Sequence, residues 1–380
     1  MMRNKAHIGN KMAALLPLLM LTSCVAMSDT GGGDNVARYR GDEGLSGYSN
    51  VSVRRAPAML WSFKSDARTA SSPIINEGVT YWIDKRGKVY GVDKGGAQTF
   101  EYDFGSASET TPLIVDSVIY VGMMNGRMNA LSMATKDTLW SFETWGQISS
   151  PPNYVQSKSA IIFGSYDNYV YLLDKTTGAE INHFETGYYI NGAVAVRDNF
   201  AIFGGCDGWL RVVDYFRGQA VDSVKVDNYI PQSAAIYGNE AYAGDYSGNI
   251  YELTLAEKGL VSFSKIHSSP SEKSSFTGVP AVDDKYIYII EDNYIAAVER
   301  STQVQKWRVM LAADTGESSP LIVRDKVLIC TKSGIVSLID KESGELLWEW
   351  DAGETITANP AASQGRFYIL TAKGTLFCFE

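Results

Sequence analysis

The sequence predicts an all-β fold: an eight-bladed β-propeller of four-stranded antiparallel blades, closed by an N-terminal strand that completes the last blade. Three observations predict it. First, one phrase recurs eight times between Trp61 and Glu380: an apolar strand, a tight turn ending in Gly or Asn, a second apolar strand, and a polar turn. Second, the turn residue stands at Gly87, Gly126, Asn168, Gly208, Gly248, Asn293, Gly334 and Gly374, with spacings of 39, 42, 40, 40, 45, 41 and 40 residues. A period near 40 built of short strands is the mark of a propeller. Third, the eighth unit stops at Phe377-Cys378-Phe379-Glu380 without a fourth strand, and the equivalent, Met59-Leu60-Trp61-Ser62-Phe63, stands before unit one. That offset predicts ring closure by the N-terminal strand, which leaves no open edge.

The chain before the repeats divides in two. Residues 1–23 read as a secretory leader: Arg3, Lys5 and Lys11 give a positive start, and Met12 to Leu21 an apolar stretch too short to span a bilayer. Leu21-Thr22-Ser23-Cys24 resembles a bacterial lipobox, which implies lipid attachment at Cys24. Several acyl chains on one residue anchor a protein stably, and Val25 after the Cys implies sorting to the outer membrane. Residues 24–57 then read as a flexible tether, because Ser28-Asp29-Thr30-Gly31-Gly32-Gly33-Asp34 has no apolar area to bury. The propeller is expected over residues 58–380.

Composition supports a folded, acidic body. Of 380 residues 45% are hydrophobic and 20% charged, with 34 Lys and Arg against 43 Asp and Glu, a net charge of −9. Three of those basic residues lie in the leader, so the rest is more acidic still. Such a chain has no electrostatic attraction for nucleic acid or anionic lipid.

Within the repeats, each turn has a mechanism. Arg86-Gly87, Asn125-Gly126, Asp207-Gly208, Ser247-Gly248, Ser333-Gly334 and Lys373-Gly374 supply positive φ for hairpins, and Asp167-Asn168 and Asp292-Asn293 do so at more strain. Asp174-Lys175-Thr176-Thr177-Gly178 and Asp340-Lys341-Glu342-Ser343-Gly344 are Asx-type turns before the fourth strand. Unit seven sets the expected strands: 320–323, 326–331, 335–340 and 346–350. Trp140, Trp307 and Trp348 fall on fourth strands.

These residues resemble the PQQ-type propeller repeat of quinoproteins. Ser72-Pro73, Ser150-Pro151 and Ser319-Pro320 match the Ser-Pro that leads its inner strand, with Thr111-Pro112 and Asn359-Pro360 as variants. Leu173-Asp174 and Ile339-Asp340 match the later strand, while units four and five lack both the Pro and the Trp. The resemblance implies architecture, since the repeat is structural.

Three function classes stay open. Many PQQ-dependent dehydrogenases carry an adjacent cysteine pair and a haem-binding Cys-x-x-Cys-His, whereas Cys24, Cys206, Cys330 and Cys378 are each isolated. Cys330 and Cys378, among apolar neighbours, are expected to be buried. Glu109, Asn191, Glu317 and Asn359 are expected to face the axis, as oxygen ligands or simply as polar lining. His183, on a strand, and His267, in a loop, make no metal cluster, so neither a catalytic residue nor a metal or other cofactor is assigned.

The second class is a protein-binding scaffold. Loops between blades and turns between second and third strands emerge on one face. There Trp145, Tyr166, Tyr188, Tyr189, Trp209, Tyr229 and Tyr246 gather over three neighbouring units. Such side chains suit partner binding, and equally suit packing between blades. Ser264 to Val279, a Ser-rich stretch holding Phe276, makes the longest spacing and reads as a solvated or partner-contacting loop. The third class is a saccharide or small-ligand binder that uses the same aromatic face. Leader, tether and eight units together resemble the BamB family of outer-membrane β-barrel assembly lipoproteins. That resemblance implies a non-enzymatic scaffold, lipid-anchored in the outer membrane and facing the periplasm, with a protein partner in the barrel-assembly complex.

Overall fold

The computed structural model describes residues 36–257, 259–268 and 278–380. They form eight sheets around a central axis. Blade 2 shows the plan: an inner strand Leu113–Val115, then Val118–Gly122 and Arg127–Ser132, and an outer strand Thr138–Glu143, each antiparallel to the last. The unit-seven strands are Leu321–Val323, Lys326–Cys330, Ile335–Asp340 and Leu346–Asp351, within a residue of expectation.

The core lies between blades. Middle strands such as Phe200–Gly204 are buried along their whole length, because each sheet is sandwiched by its neighbours, while outer strands such as Thr138–Glu143 bury little. One apolar cluster joins Tyr120 and Trp140 of blade 2 to Phe163 and Tyr171 of blade 3.

The Trp of the repeat is an inter-blade bolt. Trp140 Nε1 donates to Lys175 O, Trp307 Nε1 to Lys341 O and Trp61 Nε1 to Lys94 O, each at 2.9 Å, and each acceptor belongs to the next blade's polar turn. The turn glycine makes room for the ring: a Cβ on Gly178 would stand 2.6 Å from Trp140, in a backbone with φ +71°. Trp348, whose next blade has the chain ends in place of that turn, packs edge-on against Phe367 and Phe379. Gly178→Ala is therefore expected to cost about 2–4 kcal/mol, from left-handed strain plus overpacking. Gly105→Ala, at φ +68° with open space around it, should carry only the backbone part, about 1–2 kcal/mol. Urea midpoints of the two variants check this, and equal losses would show that the Trp contact is not what demands glycine.

Ring closure follows the expected offset. Met59–Lys64 pairs antiparallel with Thr375–Phe379, from Met59 opposite Phe379 to Lys64 opposite Thr375. Ala58 and Glu380 exchange backbone bonds at 2.9 and 3.0 Å.

The segment expected to be tether differs most. From Val36 to Val53 it is a belt inside the ring that bonds to seven inner strands in chain order. Val36 bridges Ile75 of blade 1, Ala37 O accepts from Ile114 of blade 2, and Arg38 Nη1 reaches Asn153 Oδ1 and Tyr154 O of blade 3. Glu43 O, Gly44 O, Ser46 O and Gly47 O accept from Val196, Ile236, Val282 and Ile322 of blades 4 to 7, at 2.7–2.9 Å. Tyr48–Ser49 then runs parallel to the inner strand of blade 7 as a fifth strand, and Val51 and Val53 pack against Leu321 and Phe367. Its glycines and arginines now have reasons. Arg40 is buried with Nε on Leu45 O at 2.9 Å and Nη2 on Pro280 O at 2.7 Å, and a Cβ on Gly47 would collide with that guanidinium. A Cβ on Gly44 would press on Ile236 O at 3.0 Å.

Two smaller corrections concern blades 5 and 6. The outer strand of blade 5 is Gly259–His267, the longest strand, so His267 and the first part of the expected loop lie in the sheet. There His267 Nε2 stands 2.7 Å from Glu291 Oε1, while Arg308 holds Oε2. In the blade 6 hairpin the positive φ falls on Asp292, at +51°, one residue before Asn293.

Candidate functional site: the channel mouth

The inner strands all run the same way, so the residues that precede them meet around one end of the axis. There they enclose a cavity of about 260 Å³. Its rim is stitched by the Ser-Pro positions of the repeat. Ser72 Oγ accepts from Asn359 N and Ser72 N donates to Thr111 Oγ1. Ser150 Oγ donates to Gly192 O, and Ser319 N donates to Asn359 Oδ1. Each bond joins one blade to the next, and proline beside it offers no competing N–H.

Glu109, Asn191, Glu317 and Asn359, expected at the axis, all line the cavity. Tyr39 of the belt lines it too, so the segment that fills the channel also floors the mouth. Burial pushes the Tyr39 phenol above its ordinary range. Lys85 Nζ takes Glu109 Oε1 at 2.6 Å. Gln232 Nε2 donates to Glu317 O at 3.2 Å. Sequence reasoning missed Tyr39, Gln232 and Ser233. Gln232 was recoverable, because it follows Asn191 by about one repeat.

The aromatic positions separate into groups. Tyr166 lines the cavity and stacks on Tyr189, with centroids 4.7 Å apart and planes 7° apart, and Tyr188 lies 4.2 Å from Tyr189. Tyr229 and Tyr246 form a second stack at 4.5 Å. Cys206 sits beside this group, its Sγ 3.6 Å from Asn191 Nδ2, and burial raises its pKa. Trp145 stands apart at 96% exposure, its backbone N–H fixed by Asp167 Oδ2 at 3.0 Å. Trp209 is more covered, with the Lys225 ammonium 5.6 Å from its ring. Cys24 and Phe276 lie outside the described residues.

Cys330 and Cys378 are fully buried on strands, their thiols pushed up to about 12 and about 11 by burial. Among the described residues no three His, Cys, Asp or Glu side chains are grouped to hold a metal ion, and no helix is long and apolar enough to cross a membrane. The quinone that gives the repeat its name is a tricarboxylate. The cavity lining contains Glu109 and Glu317 and no Lys or Arg, so its residues do not fit that anion.

Fold and mouth together define a PQQ-type repeat propeller whose axis is plugged at one end and acidic at the other. The chain belongs to the family described as outer membrane protein assembly factor BamB, whose sequence profile matches residues 51–309 and 291–380. None of the curated proteins matches it. Among solved structures it is similar to BamB from Moraxella catarrhalis, at 17% identity and TM-score 0.71, over 86% of this chain and 98% of that one. It is similar also to the computationally designed Ika8 protein, at 16% identity and TM-score 0.73, over 84% and 99%. Quinohemoprotein alcohol dehydrogenase ADHIIG from Pseudomonas putida HK5 matches at 14% identity and TM-score 0.77, over 91% of this chain and 80% of that one. At these identities the structural likenesses speak for the fold alone.

Proposed function

We propose that the protein is a non-enzymatic scaffold, lipidated at Cys24 after removal of residues 1–23, anchored in the outer membrane and facing the periplasm. There it binds a protein subunit of the β-barrel assembly complex. The observation that carries the reading is Trp145, a large aromatic left 96% exposed, whose backbone N–H is fixed by Asp167 Oδ2. Large rigid aromatics, presented on loops of a stiff ring, are the side chains that anchor protein interfaces. Family membership supports the choice of complex.

A photo-crosslinker placed at Trp145 in native envelopes is expected to capture a barrel-assembly subunit, and one placed at Leu346 on the outer rim is not. Failure at Trp145 to capture any member of that complex would sink the assignment. The cavity beside the tyrosines favours a second reading, a saccharide or other small-ligand binder.

A further inference from the structure

We propose that the seam between blades 8 and 1, at the end of the ring opposite the mouth, binds a phosphate group, whether free or carried by a lipid headgroup. The inference stands apart from the scaffold assignment.

The repeat itself shows what this seam lacks. At two seams the lysine whose carbonyl accepts the Trp indole sends its ammonium back to a carboxylate of the preceding blade, at the turn between first and second strands. Lys175 pairs with Asp116 across blades 2 and 3, and Lys341 pairs with Asp283 at 2.9 Å across blades 6 and 7. Lys94 is the third such lysine, its carbonyl bonded by Trp61. The turn beside it, Ser363-Gln364-Gly365, holds no carboxylate, and the Lys94 ammonium has no ion pair or hydrogen bond among the described residues. Gln364, at φ +53°, takes the place and the backbone conformation of Asp116, at φ +51°.

A second cation comes to the same place. Arg366, at the start of the second strand of blade 8, donates Nη1 to Lys94 O at 2.7 Å and Nε to Glu380 Oε2 at 3.1 Å. Its Nη2 is accessible and unpaired among the described residues. Glu380 also faces Arg54 at 3.8 Å, so this carboxylate is shared between two guanidiniums. Lys94, Gln364, Arg366, Tyr368 and Glu380 line a cavity of about 200 Å³. Gly78 lines it as well, and a Cβ there would stand 2.5 Å from Lys94 Cε, so the lysine lies along the cavity wall. A guanidinium fork and an ammonium point charge are the donors that suit a phosphate. Its oxygens can meet Arg366 Nη2, Lys94 Nζ and the Gln364 amide together, whereas a carboxylate has two oxygens for three donors.

The test is calorimetric titration of the full chain with inorganic phosphate, soluble dihexanoyl phosphatidic acid and acetate. Saturable one-to-one binding is expected for phosphate or phosphatidic acid. Tighter binding of phosphatidic acid identifies a lipid headgroup, and equal or tighter binding of inorganic phosphate identifies a free phosphate. Acetate should bind at least about tenfold more weakly, having less charge and fewer oxygens. Lys94→Gln should weaken binding about tenfold or more, the worth of a charge-assisted hydrogen bond. Its thermal midpoint should not change, because the side chain is exposed and its ammonium unpaired among the described residues. Gln364→Asp, which installs the carboxylate that the other two seams carry, should fold like the parent and bind no phosphate. Lys136→Gln, an exposed lysine of blade 2 outside the cavity, should titrate like the parent. The proposal is overturned if neither phosphate probe binds saturably, if acetate binds as well as they do, if Lys94→Gln or Gln364→Asp keeps the parent's affinity, or if Lys136→Gln weakens binding as much as Lys94→Gln.

Discussion

Deleting residues 58–64 while keeping the belt is expected to abolish the monomeric, cooperatively folded ring. Among the described residues the segment is the outer neighbour of Thr375–Phe379, so its loss exposes a full strand edge. It also strips Trp61 from Tyr368, and Phe63 from Trp82 and Tyr90. Two half-buried aromatic side chains contribute about 1–2 kcal/mol each, and each ladder hydrogen bond about 1 kcal/mol. Their sum approaches the whole stability of an ordinary domain, about 5–15 kcal/mol. The open edge invites pairing between molecules. Size-exclusion chromatography should show aggregates, with the monomer recovered when a peptide covering 57–65 is supplied in trans. A monomeric deletion variant melting within a few degrees of the parent would refute closure as the basis of stability.

Arg40→Ala is expected to destabilise by about 3–5 kcal/mol, from two buried carbonyls left unsatisfied at about 1–3 kcal/mol each and from lost packing. Arg40 is 7% exposed, and burial holds its guanidinium down to about 10, still protonated at neutral pH. Removing it strands Leu45 O and Pro280 O and empties the cradle that Gly47 leaves open. Arg40→Lys should restore little, because an ammonium cannot reproduce the planar fork that reaches both carbonyls. Arg54→Ala, an exposed residue 3.8 Å from Glu380, should change stability by less than about 0.5 kcal/mol. Urea unfolding of the three variants measures the contrast. An Arg40→Ala loss no larger than that of Arg54→Ala would mean that the belt is merely draped on the ring.

The blades were legible because every one of them solves the same problem with the same residues. The Gly turns, the Asp turns and the Trp strand repeat, and even the missing fourth strand of unit eight was visible as a displaced Trp61. The belt was illegible for the opposite reason. Its residues serve seven blades in turn, so it has neither the alternation of a strand nor a period. Arg40-Gly41-Asp42-Glu43-Gly44-Leu45-Ser46-Gly47 therefore reads as linker, although a buried Arg40, a half-buried Asp42 and a buried Leu45 give it a packed role. Gly259–His267 hid similarly, because an outer strand faces solvent and keeps a polar composition. At the mouth, Glu109, Asn191, Glu317 and Asn359 could be placed by counting along the repeat. Tyr39 could not, since it arrives from outside the repeat.

The belt also bears on how long the native state lasts. Its contacts join residues far apart in sequence, 115 positions between Arg38 and Asn153 and 240 between Arg40 and Pro280. Seven inner strands must already stand in place before one short segment can bond to them all. Contacts of such sequence separation carry a large loop-closure cost and are expected to form late in folding, where they would act mainly on the unfolding rate. The belt is thus expected to act as a latch set last, whose loss shortens the lifetime of the closed ring more than it slows its assembly.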